Sequence, residues 1–402
     1  MRGQGEARSR PPRCAPSWMR ISISLVVIAP PRPRPMFMFD RRLLDHFDWL
    51  LFFLIMALVG IGILGVYSAT YEGGQSLSPL AKRQFSWVAL GLIGMLTAFA
   101  VDYRRFEQTA YLWYLLMLVF LLLVPILGSS GGGARRWINF GFFSFQPSEL
   151  AKISLLLVLG QYFQQIAPSD GYTLRDLLFP GILIAIPTGM VFIEPNLGTA
   201  TILGLVAMTV IFVAGIRSSA LAALAVAAGG LLPVLWHHMK PYQKKRILSF
   251  LNPDSDPLGT GYHMIQSKIS IGSGMLWGKG FLQGTQSQLD FLPEKHTDFI
   301  FSVLAEEWGF VGIVVLLTLY GALLGRLLVV AWKARDRFGS CVAVGGAAII
   351  FWQLLINIGM NIGILPVVGV PLPFLSYGGS SLLTVMIAMG LALNVSTRRF
   401  LF

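Results

Sequence analysis

The segment Leu292-Pro293-Glu294-Lys295-His296-Thr297-Asp298-Phe299-Ile300-Phe301 places carboxylates, a lysine and a histidine together where a polar stretch meets a long apolar run. Asp298 is the last acid before the apolar residues, at the boundary between water and a dry interior. Partial desolvation there raises a carboxylate's proton affinity and makes it a better general base than one in bulk water. The competing reading is that Asp298 or Thr297 only caps the helix beginning at this point. Lys295 and His296 are further candidates for substrate contact.

Other constellations carry ionisable or amide groups into apolar surroundings, where they are costly and default to functional candidates. Gln146-Pro147-Ser148-Glu149-Leu150-Ala151-Lys152 opens an apolar run. Pro147 suits a first helical turn, and Glu149 and Lys152 at i and i+3 share one face. The two either fix helix packing as a buried ion pair or bind lipid-linked phosphate, with Glu149 orienting Lys152. Upstream, Gly131-Gly132-Gly133-Ala134-Arg135-Arg136-Trp137 joins glycines that admit a ligand to an Arg136 suited to phosphate and a Trp137 suited to stacking on a sugar. Alternatively, this pair anchors the chain at a membrane surface.

Glu194-Pro195-Asn196-Leu197-Gly198 interrupts two apolar runs, and Glu194 is either a partner for the freed backbone groups or a substrate contact. Gln353, Asn357 and Asn361, spaced four apart, read as interhelical glue in preference to substrate contacts. After Pro366, Pro371 and Pro373, the Ser376-Tyr377-Gly378-Gly379-Ser380-Ser381 stretch is expected to turn back and line a cavity, with Ser380 a candidate contact. Glu306 and Glu307 are expected to pair with Lys or Arg of neighbouring spans.

The elements that must hold these groups are membrane helices. Of 402 residues, 55% are hydrophobic and only 12% charged, more apolar side chain than a soluble core of this size would hold. Runs of about 20 apolar residues, the length a bilayer core demands, are expected near 48–69, 84–101, 109–127, 148–164, 178–194, 197–215, 219–237, 300–331, 341–365 and 380–396. The expected fold class is therefore an all-α polytopic membrane protein of about ten transmembrane helices. Residues 41–402 would form the membrane domain, and 1–40, with Pro30 to Pro35, a disordered or non-native extension.

Arg41, Arg42, Arg104, Arg105, Arg175, Arg217, Lys333, Arg335, Arg337, Arg398 and Arg399 fall on one side of these spans, which the positive-inside rule makes cytoplasmic. The opposite side receives a long loop, 238–299, too long for a mere connection. Its Lys240, Lys244, Lys245, Arg246, Lys268, Lys279 and Lys295 break the charge rule and suggest something anionic bound there. Tyr242 to Leu251 has the pattern of a short interfacial helix, and a second helix is expected around His263 to Ile271. The net charge of +12 is scattered between spans, so anionic lipid is its partner and nucleic acid is not. Cys14 and Cys341 alone supply neither a disulfide frame nor a metal knuckle.

Together these motifs resemble the SEDS family, and within it the RodA branch more closely than the FtsW branch. The resemblance runs from Gly62-Ile63-Leu64-Gly65-Val66-Tyr67-Ser68-Ala69 through QPSELAK at 146–152, EPNLGTA at 194–200 and GTQSQLDFLPEKHTDFIFSVLAEEWG at 284–309 to GILPVVGVPLPFLSYGGSS at 363–381. It implies ten spans in the bacterial inner membrane, both termini cytoplasmic, and peptidoglycan glycosyltransferase activity on the outer face. The family's essential loop aspartate falls on Asp298, its helix-start pair on Glu149 and Lys152, and its outer Arg-Trp pair on Arg136 and Trp137.

In the implied reaction the 4-hydroxyl of one lipid II disaccharide attacks the anomeric carbon of another, and polyprenyl pyrophosphate leaves. Asp298 would take the proton, while Lys152 and Arg136 would receive the phosphates. No cofactor is required by the sequence; a divalent cation near Asp298 is compatible with the chemistry but no ligand cluster demands it. The implied partners are a class B penicillin-binding protein that cross-links the strands and other membrane proteins of an elongation complex. The rival reading is a lipid II transporter (flippase), disfavoured because no internal repeat shows and the polar groups cluster at the outer side, not the midplane.

Overall fold

Helices begin where the sequence supplies caps. Asp48 accepts from the Leu51 amide at 3.1 Å and opens α1 (Trp49–Ala69); Ser78 accepts from the Ala81 amide at 3.1 Å before Pro79 and opens α2 (Pro79–Ala100). Such caps satisfy amides left over at a helix start. A short α3 (Tyr103–Gln108) leads into α4 (Ala110–Leu127). Then follow α5 (Pro147–Gln165), α6 (Leu178–Ile193), α7 (Leu197–Gly215) and α8 (Ser218–His238). The long loop holds α9 (Pro241–Leu251), α10 (Thr260–Ser273) and α11 (Thr285–Gln288). The chain finishes with α12 (Ile300–Trp332), α13 (Arg337–Asn361) and α14 (Gly379–Arg398). This computed structural model describes residues 45–71, 77–131, 134–139, 141, 144–252, 259–289 and 291–399. The expected extension at 1–40 and Cys14 lie outside the described residues.

Eight of these helices, α1, α2, α4, α7, α8, α12, α13 and α14, are long and apolar enough to cross a membrane. The chain is thus a polytopic, essentially all-helical membrane protein. One departure from the expected all-α fold is a small antiparallel sheet between α4 and α5, made of β1 (Ser129–Gly131), β2 (Ala134–Asn139) and β3 (Ser144–Phe145) in the order β1-β2-β3. It carries Arg136 and Trp137, whose segment is too rich in glycine to show a strand pattern.

α5 is the central helix, packed against α4, α7, α13 and α14, with all but three of its 19 residues buried. That burial is why Glu149 and Lys152 meet each other and no water. Polar staples fix the surrounding helices. Arg326 of α12 pairs with Asp48 at 2.9 Å, and Ser396 of α14 donates to the same carboxylate at 2.8 Å. Asn394 donates to the Ala98 and Phe99 carbonyls closing α2. Each such interhelical bond contributes about 0.6–2 kcal/mol.

The expected uninterrupted span from 300 breaks at Gly309, where φ is +65° and ψ −167°. Residues 275–280 of the long loop dock into the break. Phe310 and Val311 donate to the Met275 and Leu276 carbonyls at 2.8 and 3.1 Å, and Lys279 and Gly280 donate to the Glu306 and Glu307 carbonyls at 3.0 Å each. A Cβ at Gly309 would lie 2.2 Å from the Gly278 nitrogen. Gly309→Val should therefore cost more than the about 1–3 kcal/mol of such backbone strain, because the loop must also move. Faster proteolysis within 274–280 and a lower Tm in detergent are expected; a variant unchanged in both would show that the break does not hold the loop.

Among the described residues neither Glu306 nor Glu307 pairs with a Lys or Arg of a neighbouring span. Glu306 instead binds Lys279 of the docked loop at 2.7 Å and accepts from the Gln286 amide at 3.0 Å, and Glu307 accepts from Ser68 of α1. The reason is proximity: the loop folds back over the first turns of α12 and brings its own lysine.

Candidate active site

Asp298 lies one residue before the N-cap of α12. That cap is Phe299, and no side chain caps the helix, so neither Asp298 nor Thr297 serves the structural role that competed with catalysis. Thr297 bonds back to Glu294 instead, through its carbonyl and its carboxylate at 3.2 and 3.0 Å. The Asp298 side chain is partly buried. A Cβ at Gly369 would lie 3.4 Å from Asp298 Oδ2 and 4.0 Å from Arg246 Nη1, so carboxylate and guanidinium face each other across that glycine. Burial first, and the charge of Glu294 second, push the Asp298 carboxyl up to about 6, while Arg246 and Arg136 oppose the rise.

Arg136 and Arg246 line one narrow cleft with Pro195, Leu197, Gln243, Ile247, Pro366 and Val368. Arg136 donates from Nη2 to the Pro195 carbonyl, its buried Nε has no partner among the described residues, and Arg246 donates from Nη1 to the Val367 carbonyl at 3.4 Å. Glu194 is 7% exposed, and among the described residues neither carboxylate oxygen has a hydrogen-bond partner. It is not the backbone partner that the break at 194–198 called for; Asn196 fills that place, accepting from the Thr199 amide at 3.4 Å. Glu194 is instead an acid within electrostatic reach of Arg136.

On the other side of the same backbone lies a cleft of about 970 Å³, lined by Arg83, Ser86, Trp87, Trp137, Thr297 and Tyr377 among others. Consecutive residues on extended chain point to opposite faces, which is how Arg136 reaches the narrow cleft and Trp137 the wide one. The stretch 362–378 does turn back, as its prolines suggested. Val370, Leu372, Phe374, Leu375 and Ser376 are buried, and Tyr377, Gly378 and Gly379 form a wall of the wide cleft.

The remaining candidates take other places. Glu149 and Lys152 bind each other at 2.8 Å with side chains 4% and 1% exposed, and Lys152 lines neither cleft. Lys295 donates to the Ser287 carbonyl at 2.6 Å, holding the loop to itself. The His296 ring packs 5.8 Å from that of Tyr377, and burial lowers its proton affinity. Ser380 is buried and ties β3 to α14, donating to the Ser144 carbonyl at 3.3 Å and accepting from the Gln146 amide at 3.2 Å. Among the described residues no cluster of three or more His, Cys, Asp or Glu side chains could hold a metal ion.

Two functional candidates escaped the sequence reading. Arg246 is visible in the sequence only as one of several cations of the long loop. The signal that singles it out is its i+3 spacing from Gln243, which is buried, whereas Lys245 is exposed on the far side of α9. Arg83 precedes the apolar run expected at 84–101, but α2 begins at Pro79 and carries Arg83 into the cleft wall.

A family model for the FtsW, RodA and SpoVE cell cycle proteins matches residues 48–400. The chain belongs to this family. It is 41% identical over 356 residues to peptidoglycan glycosyltransferase MrdB of Escherichia coli, covering 88% of this chain and 94% of that protein. Stage V sporulation protein E of Bacillus subtilis is 38% identical over 358 residues, covering 87% and 96%. Among solved structures, a chain from a peptidoglycan synthase complex that coordinates polymerization and crosslinking superposes with a TM-score of 0.74 at 34% identity, covering 88% of this chain and 98% of that one. The rod shape determining protein RodA of Thermus thermophilus superposes at 0.66 and 32% identity, with the same coverage.

Proposed function

We infer that the chain is a peptidoglycan glycosyltransferase that polymerises lipid II, with polyprenyl pyrophosphate as the leaving group. The observation that carries this reading is the Asp298 carboxylate, which has no hydrogen-bond partner among the described residues, faces Arg246 across Gly369 and lies within electrostatic reach of Arg136. Glycosyl transfer to a sugar hydroxyl needs both parts. The base takes the proton as the O4–C1 bond forms, and cations stabilise charge gathering on the pyrophosphate as the C1–O bond breaks. Arg136 and Arg246 are placed for the pyrophosphate, and Trp87, Trp137 and Tyr377 offer faces for sugar rings in the wide cleft. Lys152 is better placed to fix α5 through Glu149 than to touch substrate.

In this reading α5 and α6 cross the membrane too, giving ten spans, with the loop 238–299 and both clefts on the outer face of the inner membrane and the termini in the cytoplasm. The partners are lipid II, a class B penicillin-binding protein and other elongation-complex proteins; the relationship to a chain from a complex that couples polymerization to crosslinking supports the second. Purified protein in detergent, where sidedness vanishes, should form glycan polymer from lipid II. Absence of polymer together with lipid II movement across proteoliposomes would favour the flippase reading.

The base must be ionised to act. With its carboxyl near 6, kcat should fall about tenfold per pH unit below that value and level off above it. A rate flat from about pH 5 to 8 would remove Asp298 from the proton transfer. Arg136→Gln should raise KM for lipid II about tenfold or more, the loss of a charge-assisted bond of about 1.5–3 kcal/mol. An unchanged KM would take Arg136 out of the phosphate site.

A further inference from the structure

The backbone that carries Asp298 is held by three consecutive carbonyls. The Tyr377 amide donates to the His296 carbonyl at 2.8 Å. Ser376 Oγ donates to the Thr297 carbonyl at 2.6 Å while accepting from the Leu372 amide at 2.7 Å. Asn357 and Asn361 of α13 both donate from Nδ2 to the Asp298 carbonyl, at 3.0 and 3.1 Å. A carbonyl with two lone pairs can take two donors, and here both donors belong to fully buried side chains of one helix.

The amides are themselves oriented. Asn361 Oδ1 accepts from Ser302 Oγ at 2.6 Å, and Ser302 meets Ser267 Oγ of α10 at 2.6 Å, while Ser267 also reaches the Asn361 carbonyl at 2.8 Å. Asn357 Nδ2 reaches the Val370 carbonyl at 2.7 Å. Four pieces of chain, α10, the start of α12, α13 and the 362–378 stretch, therefore converge on one peptide. Interhelical glue would need only helix-to-helix bonds; Asn357 gives its protons to the main chain at Asp298 and Val370, and Asn361 shares its own between the Asp298 carbonyl and the Asn357 carbonyl of the same helix at 2.8 Å.

We infer that Asn361, with Asn357, is a positioning residue for the transfer reaction, fixing the Asp298 peptide so that its carboxylate keeps facing Arg246 across Gly369. The inference rests on the reading of Asp298 as the base. A carboxylate on a loosened peptide samples water and loses alignment with the attacking hydroxyl, and misplacement by about 1 Å can cost about 100-fold in rate. Substrate capture by Arg136, Arg246 and the aromatic walls does not depend on this peptide. The charged groups facing Asp298 are Glu294 of its own segment, Arg246 of α9 and Arg136 of β2; α13 presents only the neutral amides.

The test uses the full-length protein in detergent with lipid II. Asn361→Ala should lower kcat at least tenfold, leave KM within about twofold, and move the acid limb of the kcat profile to lower pH as the carboxylate becomes better hydrated. Ser302→Ala, which leaves the donor in place but removes its orienting partner, should do the same more weakly. In parallel, Asp298→Cys in a background lacking Cys14 and Cys341 should react several-fold faster with an aqueous maleimide once Asn361→Ala is added. An unchanged labelling rate overturns the clamp. Faster labelling with an unmoved acid limb and full kcat in Asn361→Ala overturns its role in the reaction. The two failures remain distinct from failure of the base reading, in which Asp298→Ala itself stays active while the labelling still responds.

Discussion

Asp298→Ala and Asp298→Asn should abolish glycan-chain formation, lowering kcat by about 10²–10⁴-fold, the range general-base catalysis supplies. The loss should appear in kcat with little change in lipid II capture, since the cations and aromatic walls stay intact. Stability should not fall with activity. Among the described residues the carboxylate has no hydrogen-bond or salt-bridge partner to lose. Its folded-state proton affinity is raised, to about 6, so the folded state binds the proton more tightly than the unfolded one. Its contribution to stability is therefore fullest at low pH and is lost as pH rises through about 6, and removing the charge at neutral pH should leave Tm unchanged or higher. Polymer at the wild-type rate from a folded Asp298→Ala protein would end the base assignment.

The second large effect is on stability and concerns the pair buried in α5. Lys152→Met leaves Glu149 buried and uncompensated and should cost about 3–5 kcal/mol, whereas the double variant Glu149→Gln with Lys152→Met should recover most of that. Thermal unfolding in detergent reads the difference, and polymerisation gives its meaning. If the double variant regains both Tm and activity, the pair serves packing alone. Should it regain Tm but remain unable to capture lipid II, Lys152 belongs with the phosphate-binding cations after all, and the assignment of that task to Arg136 and Arg246 would have to be widened.

The two predictions separate groups that look alike along the chain. Glu149 and Asp298 are both acids where polar residues meet apolar runs, and both stand near a helix start. What distinguishes them is a partner: Lys152 neutralises Glu149 at 2.8 Å, while Asp298 faces guanidiniums without bonding to them. A neutralised pair is cheap to bury and chemically inert, whereas an unpaired carboxylate is costly to bury and so stays reactive.

Much of the architecture was legible because a bilayer imposes it. Apolar runs of fixed length and basic residues in short loops mark membrane helices one at a time, and the runs anticipated match the helices to within a few residues. The amphipathic pattern from Tyr242 likewise announces α9. Short-range chemistry was legible too: Glu149 and Lys152 share a face because the helix repeat puts them there. The glycine-rich stretch holding Arg136 was not legible as a sheet, since glycine leaves the backbone undecided.

The sequence by itself determined a multi-helix membrane protein and the identity of its scarce ionisable residues, because hydrophobic length and helical spacing are local properties. Only the tertiary structure decided which of those residues meet. Arg246, Arg136 and Asp298 come from three separate parts of the chain, and Asn357 and Asn361 prove to hold the Asp298 peptide because α13 passes beneath it. Neither spacing nor composition encodes such encounters. They follow from the packing of α5 at the centre and from the loop docked into the break at Gly309, where side chains far apart in sequence are brought within reach by the burial of everything between them.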